Sequence, residues 1–78
     1  MPHKHDPQLH SSIRMINQIA ANQTHHDNDE QAAEAVAAHL KKFWARGMKQ
    51  QIIEFAATDD VGEISAIARR ATVILRDT

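Results

Sequence analysis

The 78-residue chain has no cysteine and no tyrosine, only two glycines and two prolines, and three aromatic residues, Phe43, Trp44 and Phe55. Each scarcity removes a class of chemistry. Without cysteine there is no disulfide, no thiolate ligand for a metal or cluster, and no thiol nucleophile. Two glycines do not make a loop that cradles phosphates, and no G-x-S-x-G turn is present. No run of about 18 apolar residues exists, which excludes a membrane-spanning helix. The N-terminus, Met1-Pro2-His3-Lys4-His5-Asp6-Pro7, is charged but leads into no apolar stretch, so it does not read as a secretory signal. These absences describe a cytoplasmic chain with no membrane contact and no catalytic apparatus of its own.

Charge of one sign is also lacking. Nine Lys and Arg against ten Asp and Glu leave a net charge of −1, so no overall basic field draws the chain to nucleic acid. Lys41, Lys42, Arg46 and Lys49 do cluster around a predicted turn, with Arg69, Arg70 and Arg76 further on. A small nucleic-acid-binding regulator is therefore the weakest of three functional readings, since such readers usually carry a strongly basic face.

What is present is alanine. Of the 33 apolar residues 13 are alanine, which leaves 20 larger side chains. That is enough for one modest core and too little for a core plus a deep enzyme pocket. A chain this short buries only about 60 to 65% of the surface its unfolded form exposes. With no disulfide to staple it, association with a partner is the remaining common route to stability.

The apolar residues recur with a helical period. Leu9, Ile13, Ile16 and Ala20 make one stripe, broadened by Met15 and Ile19, with Ser11 or Ser12 as a candidate cap. The polar stretch from Asn22 to Asn28 is a loop. Asn28 and Gln31 have the spacing of a capping box, and Asp29 and Glu30 suit the positive end of a helix dipole. Ala33, Val36, Leu40 and Phe43 form a second stripe, ending near Lys41 and Lys42. Gly47 is the expected stop or kink, because glycine accepts the left-handed backbone that closes many helices. A third helix of about ten residues carries Met48, Ile52 and Phe55. After a break at Thr58-Asp59-Asp60, Asp60 and Glu63 offer another capping box, and Ile64, Ile67, Ala71 and Ile74 form the last stripe. Nothing alternates by twos. The predicted fold is all-α, a small bundle of four helices over residues 9–78, three longer and one short, behind a disordered tail at 1–8.

Six histidines invite a metal reading, through His3-x-His5 and His25-His26. A built site needs three or four ligands in fixed geometry, and these pairs fall on a predicted tail and loop. Neither metal nor cofactor is expected in this chain. The acid pairs Asp29-Glu30 and Asp59-Asp60 stand at helix starts, where capping accounts for them.

Surplus apolar helix surface is the better signal. Ile52 and Ile53 are adjacent, and Val73, Ile74 and Leu75 are consecutive, so one helix face cannot hold them all. Trp44, beside Phe43 and Met48, is either core or contact surface, since Trp and Met are enriched in interface cores.

Several of these residues follow a known order. Arg14-Met15-Ile16-Asn17-Gln18-Ile19, then Val36-Ala37-Ala38-His39-Leu40, then Phe43-Trp44 with Met48, resembles the delta subunit of cytoplasmic NAD-dependent formate dehydrogenases. That family carries R-M-x-N-Q-I, V-A-x-H-L and F-W-x-P-R-M segments, and the agreement runs over roughly residues 13–57. The family's proline and arginine fall on Arg46 and Gly47, so a contact through arginine at position 47 does not carry over. The resemblance implies a non-catalytic accessory subunit. In that family the large subunit holds a molybdenum or tungsten pterin and iron–sulfur clusters, and other chains carry flavin and bind NAD. The implied partner is thus the large catalytic subunit, whose assembly, stability or cofactor insertion the short chain supports. The matching positions Arg14, Asn17, Gln18, His39, Phe43, Trp44 and Met48 become the candidate partner-binding residues. A self-associating helical adaptor, a homo-oligomer when isolated, is the alternative.

Overall fold

A computed structural model describes residues 7–23 and 27–77. Four helices follow in order: α1 (Pro7–Ala21), α2 (Asp29–Phe43), α3 (Arg46–Thr58) and α4 (Ala66–Asp77). No strand occurs among the described residues, and no helix there is long and apolar enough to cross a membrane. Helix α1 begins two residues before the expected tail boundary. Proline suits a first helical turn, where its missing N–H has no intrahelical partner to lose. Residues 1–6, with His3 and His5, and residues 24–26, with His25 and His26, lie outside the described residues.

The core follows the predicted stripes except at two places: Phe43 of the second stripe is exposed, and α4 buries Ala68, Thr72 and Leu75 beside Ala71, leaving Ile67 and Ile74 half-buried. Ile16, Val36, Leu40 and Ile52 are fully buried, and Ala33, Ala68 and Ala71 are equally inaccessible. Burying each of the larger side chains contributes about 1.5 to 3 kcal/mol. The alanines have a separate role: small side chains on α2 and α4 let these two helices pack along each other, the most extensive contact in the bundle. Across that seam Arg70 forks onto Glu30, Nε to Oε1 at 2.9 Å and Nη2 to Oε2 at 3.1 Å. Helix α1 touches all three others.

Asn28 caps α2 as expected, its Oδ1 accepting from Gln31 N–H at 2.8 Å. The return bond comes from the Asp27 N–H to Gln31 Oε1 at 3.2 Å, one residue before the cap. The other two boundaries differ from expectation. Gly47 does not end α2; it sits in the first turn of α3, exposed, with open space where a Cβ would stand. Helix α2 stops because Trp44 and Ala45 are extended, at φ −90°, ψ 142° and φ −64°, ψ 153°. The glycine with a left-handed backbone is Gly62, at φ 79°.

Helix α4 is not opened by an Asp60–Glu63 box either. Ser65 caps it, its Oγ accepting from Ala68 N–H at 3.2 Å. The carboxylate of the preceding link is Asp59, which accepts from Glu63 N–H at 3.2 Å and Ile64 N–H at 3.0 Å. Arg69 closes the other side, Nη2 reaching Asp59 Oδ2 at 2.7 Å and Nη1 the Ala56 carbonyl at 2.7 Å. The link thereby pins Ile64 into the core.

Burial of the Asp59 carboxylate opposes ionisation, but the donors of Ile64, Glu63 and Arg69 outweigh it and hold the group below its ordinary 3.8. A carboxyl held low in the folded state stabilises the fold above its unfolded pKa, and that contribution is lost as pH falls through the lowered value. Thermal unfolding of Asp59→Asn should therefore show a lower midpoint at neutral pH. It should also show a shallower fall in midpoint below about pH 4 than the parent chain. Parallel curves for the two proteins would mean that Asp59 contributes nothing to acid sensitivity.

Candidate functional site

The corner between α2 and α3 gathers most of the candidate residues and sorts them into two sets. Phe43, the last residue of α2, is 66% exposed. His39, one turn earlier on the same face, holds its ring 4.9 Å from that of Phe43 at 46°. Lys42 places Nζ 5.6 Å from the Phe43 centroid, within cation–π range. An exposed ring flanked by an imidazole and an ammonium is an amphipathic knob on the surface.

The next residue goes inward. Trp44 still donates its backbone N–H to the Leu40 carbonyl at 2.9 Å, and the extended backbone that follows carries the indole into the core, leaving it 7% exposed. Met48, on the first turns of α3, is half-buried against the same core. Adjacent Phe43 and Trp44 thus divide between solvent and interior, and Trp44 is a core residue of this chain.

The α1 candidates lie apart from the knob. Asn17 uses both ends of its amide within the chain: Nδ2 donates to the Glu63 carbonyl at 2.8 Å, and Oδ1 accepts from Ser65 N–H at 2.9 Å. It clasps the α3–α4 link to α1. Gln18 is exposed and its Nε2 meets Asn22 Oδ1 at 3.5 Å, the outer limit of a hydrogen bond. Arg14 faces solvent. No hydrogen bond or ion pair joins Arg14 or Gln18 to the aromatic pair. Of the seven candidates, Phe43 and His39 form one exposed unit, Arg14 and Gln18 offer separate exposed polar groups, and Asn17, Trp44 and Met48 hold the fold together.

The surplus apolar faces are partly absorbed. Leu75 and Ile52 are buried, while Ile53, Val73 and Ile74 are half-buried. Met15 and Val61 join Phe43 as exposed large hydrophobic residues, at 43% and 76%. Of the basic residues, Arg69 and Arg70 are occupied by Asp59 and Glu30. No three His, Cys, Asp or Glu side chains come together as a metal site among the described residues.

One signal for these placements was local and one was not. A Phe-Trp pair at a helix end implies opposite directions for neighbouring side chains, since successive positions on a helix are about 100° apart. Asn17 is joined to residues 46 and 48 positions away, a contact that no local pattern announces.

A family model described as the NADH-dependent formate dehydrogenase delta subunit, FdsD, matches residues 12–72. The match extends past the motif-bearing segment into α4, which carries no motif of its own. No curated protein and no solved structure matches the chain. With the match spanning all four helices, the chain belongs to the FdsD family, the delta subunits of NADH-dependent formate dehydrogenase.

Proposed function

We propose that this chain is a non-catalytic accessory subunit of an NADH-dependent formate dehydrogenase, cytoplasmic and without a cofactor of its own. Its role is to support assembly, stability or cofactor insertion of the large molybdenum- or tungsten-bearing subunit. The family match over residues 12–72 carries this reading. The exposed Phe43–His39 pair supports it, because a large ring left in water beside a packed core is a natural anchor for another chain. The pterin, clusters and flavin belong to the other subunits, and the residues described above supply contact surface.

Co-expression of the tagged chain with the formate dehydrogenase subunits tests the proposal. The large subunit should be recovered with it, and omitting the chain should lower the yield or metal loading of active enzyme. A purified chain that forms a stable dimer and retains no oxidoreductase subunit would sink it in favour of a self-associating adaptor.

A further inference from the structure

The second groove of the molecule has a composition that the aromatic knob does not share. It runs between α3, the last turns of α4 and the end of α2, with a volume of about 650 Å³. Its floor is apolar, from Ile53, Ala57 and Leu75, and its rim carries Lys41, Arg46, Lys49 and Arg76. Among the described residues, Lys41, Arg46 and Lys49 have no ion-pair partner. Arg76 has only its neighbour Asp77, at 3.4 Å, with both side chains more than half exposed. The one carboxylate on the groove among the described residues is Glu54, which accepts from Gln50 Nε2 at 3.0 Å along the surface of α3. In a chain of net charge −1, four cations around an apolar floor are a local concentration, and it lies where the fold leaves them uncompensated.

We infer that this groove is the docking site for an acidic amphipathic segment of the partner subunit, with apolar side chains on Ile53 and Ala57 and carboxylates on Arg46, Lys49 and Lys41. This rests on the accessory-subunit reading and adds the chemistry of the contact. The floor and rim together select the occupant. A nucleic-acid backbone would satisfy the cations but not the apolar floor, and the groove has no aromatic side chain on which a base could stack. A second copy is the other candidate, because a further groove of about 830 Å³, between α1, α3 and the link to α4, carries Asp60 and Glu63 and shares Glu54 with this one. Because the two grooves share Glu54 and lie side by side, a two-fold dimer can pair them reciprocally, and the experiment below separates that occupant from the subunit segment. Arg offers the carboxylate a two-pronged donor, and cations on a rim steer association and fall in influence with salt.

The experiment uses the full chain and the large formate dehydrogenase subunit, with affinity measured at two ionic strengths. Arg46→Glu/Lys49→Glu should bind at least about tenfold more weakly and lose most of the salt dependence. Ser11→Glu, at an exposed position on α1 outside both the groove and the candidate residues, should bind like the parent. Both variants alter exposed or rim residues, and their helical content and thermal midpoint are measured alongside. A folded double variant that binds like the parent overturns the groove and leaves the accessory role standing. A parent chain that binds no formate dehydrogenase subunit overturns the accessory role and this inference with it. Tighter binding to a 20-base-pair duplex than to the subunit, abolished in the double variant, reassigns the groove to phosphate. Salt-sensitive dimers or polymers of the chain alone, dispersed by the same variant, reassign it to a second copy.

Discussion

Trp44→Ala should remove a large share of the isolated chain's stability. The indole is 7% exposed and belongs to the cluster that includes Leu40, Ile52 and Val36. Removing a buried aromatic costs about 3 to 5 kcal/mol, because the cavity left behind only partly collapses. A domain of this length has about 4 to 12 kcal/mol in total at roughly 0.05 to 0.15 kcal/mol per residue. The loss is therefore a large fraction of the whole stability and in the lower range removes most of it. Urea unfolding followed by helical circular dichroism measures it directly. Trp44→Phe, which keeps a ring in the space, should recover much of the loss. A Trp44→Ala chain with an unchanged unfolding midpoint and a pure binding defect would return Trp44 to the surface.

How Trp44 reaches the core explains what could be read from the residues and what could not. The four helices were legible because burial and the 3.6-residue period act on neighbours in sequence, although the stripes misplaced Phe43 and shifted the buried face of α4 by one residue from Ile67 and Ile74 to Ala68 and Leu75. Asn28 and Gln31 were legible for the same reason: a cap satisfies an N–H three residues away. Gly47 misled because glycine's left-handed backbone is one way to end a helix, and the sequence does not show that an extended Trp44–Ala45 pair ends this one. Asp60 misled because it alone stands three residues before Glu63, whereas the carboxylate that accepts from the link is Asp59, four residues before it, and only the fold brings Arg69 onto Asp59. The candidate site was legible as a set of residues but not as a surface. Asn17 looked free for a partner, yet a clasp to Glu63 and Ser65 across more than forty residues consumes its amide. The same long-range packing leaves Lys41, Arg46 and Lys49 around one groove while Arg69 and Arg70 are neutralised.

Gly47 itself marks where this chain departs from the family pattern, and the structure makes the departure mild. A Cβ at position 47 would meet nothing within 4 Å, and the backbone there needs no positive φ. Position 47 therefore constrains neither the core nor the direction of α3. The family's arginine at that position would extend a side chain from an exposed site beside Arg46 and Lys49. Its absence here removes one cation from that neighbourhood without changing the corner that presents Phe43.

Phe43→Ala should do the reverse of Trp44→Ala: leave folding nearly untouched and weaken docking on the large subunit by about 2 kcal/mol, roughly thirtyfold in affinity. At 66% exposure the ring has little burial to lose, and surface truncations usually stay within about 0.5 kcal/mol of the parent. Its value for binding comes from position. His39 at 4.9 Å and Lys42 at 5.6 Å already hold the ring on the outer face of the corner, so little rotamer freedom remains to be lost on contact. His39→Ala should therefore cost less than Phe43→Ala and act only through it. In the double variant the His39 change should add almost nothing. Titration of the three variants against the large subunit, with thermal melts of each, separates these outcomes. Equal binding by Phe43→Ala and the parent would move the contact away from the corner, while additive losses would make His39 a contact in its own right.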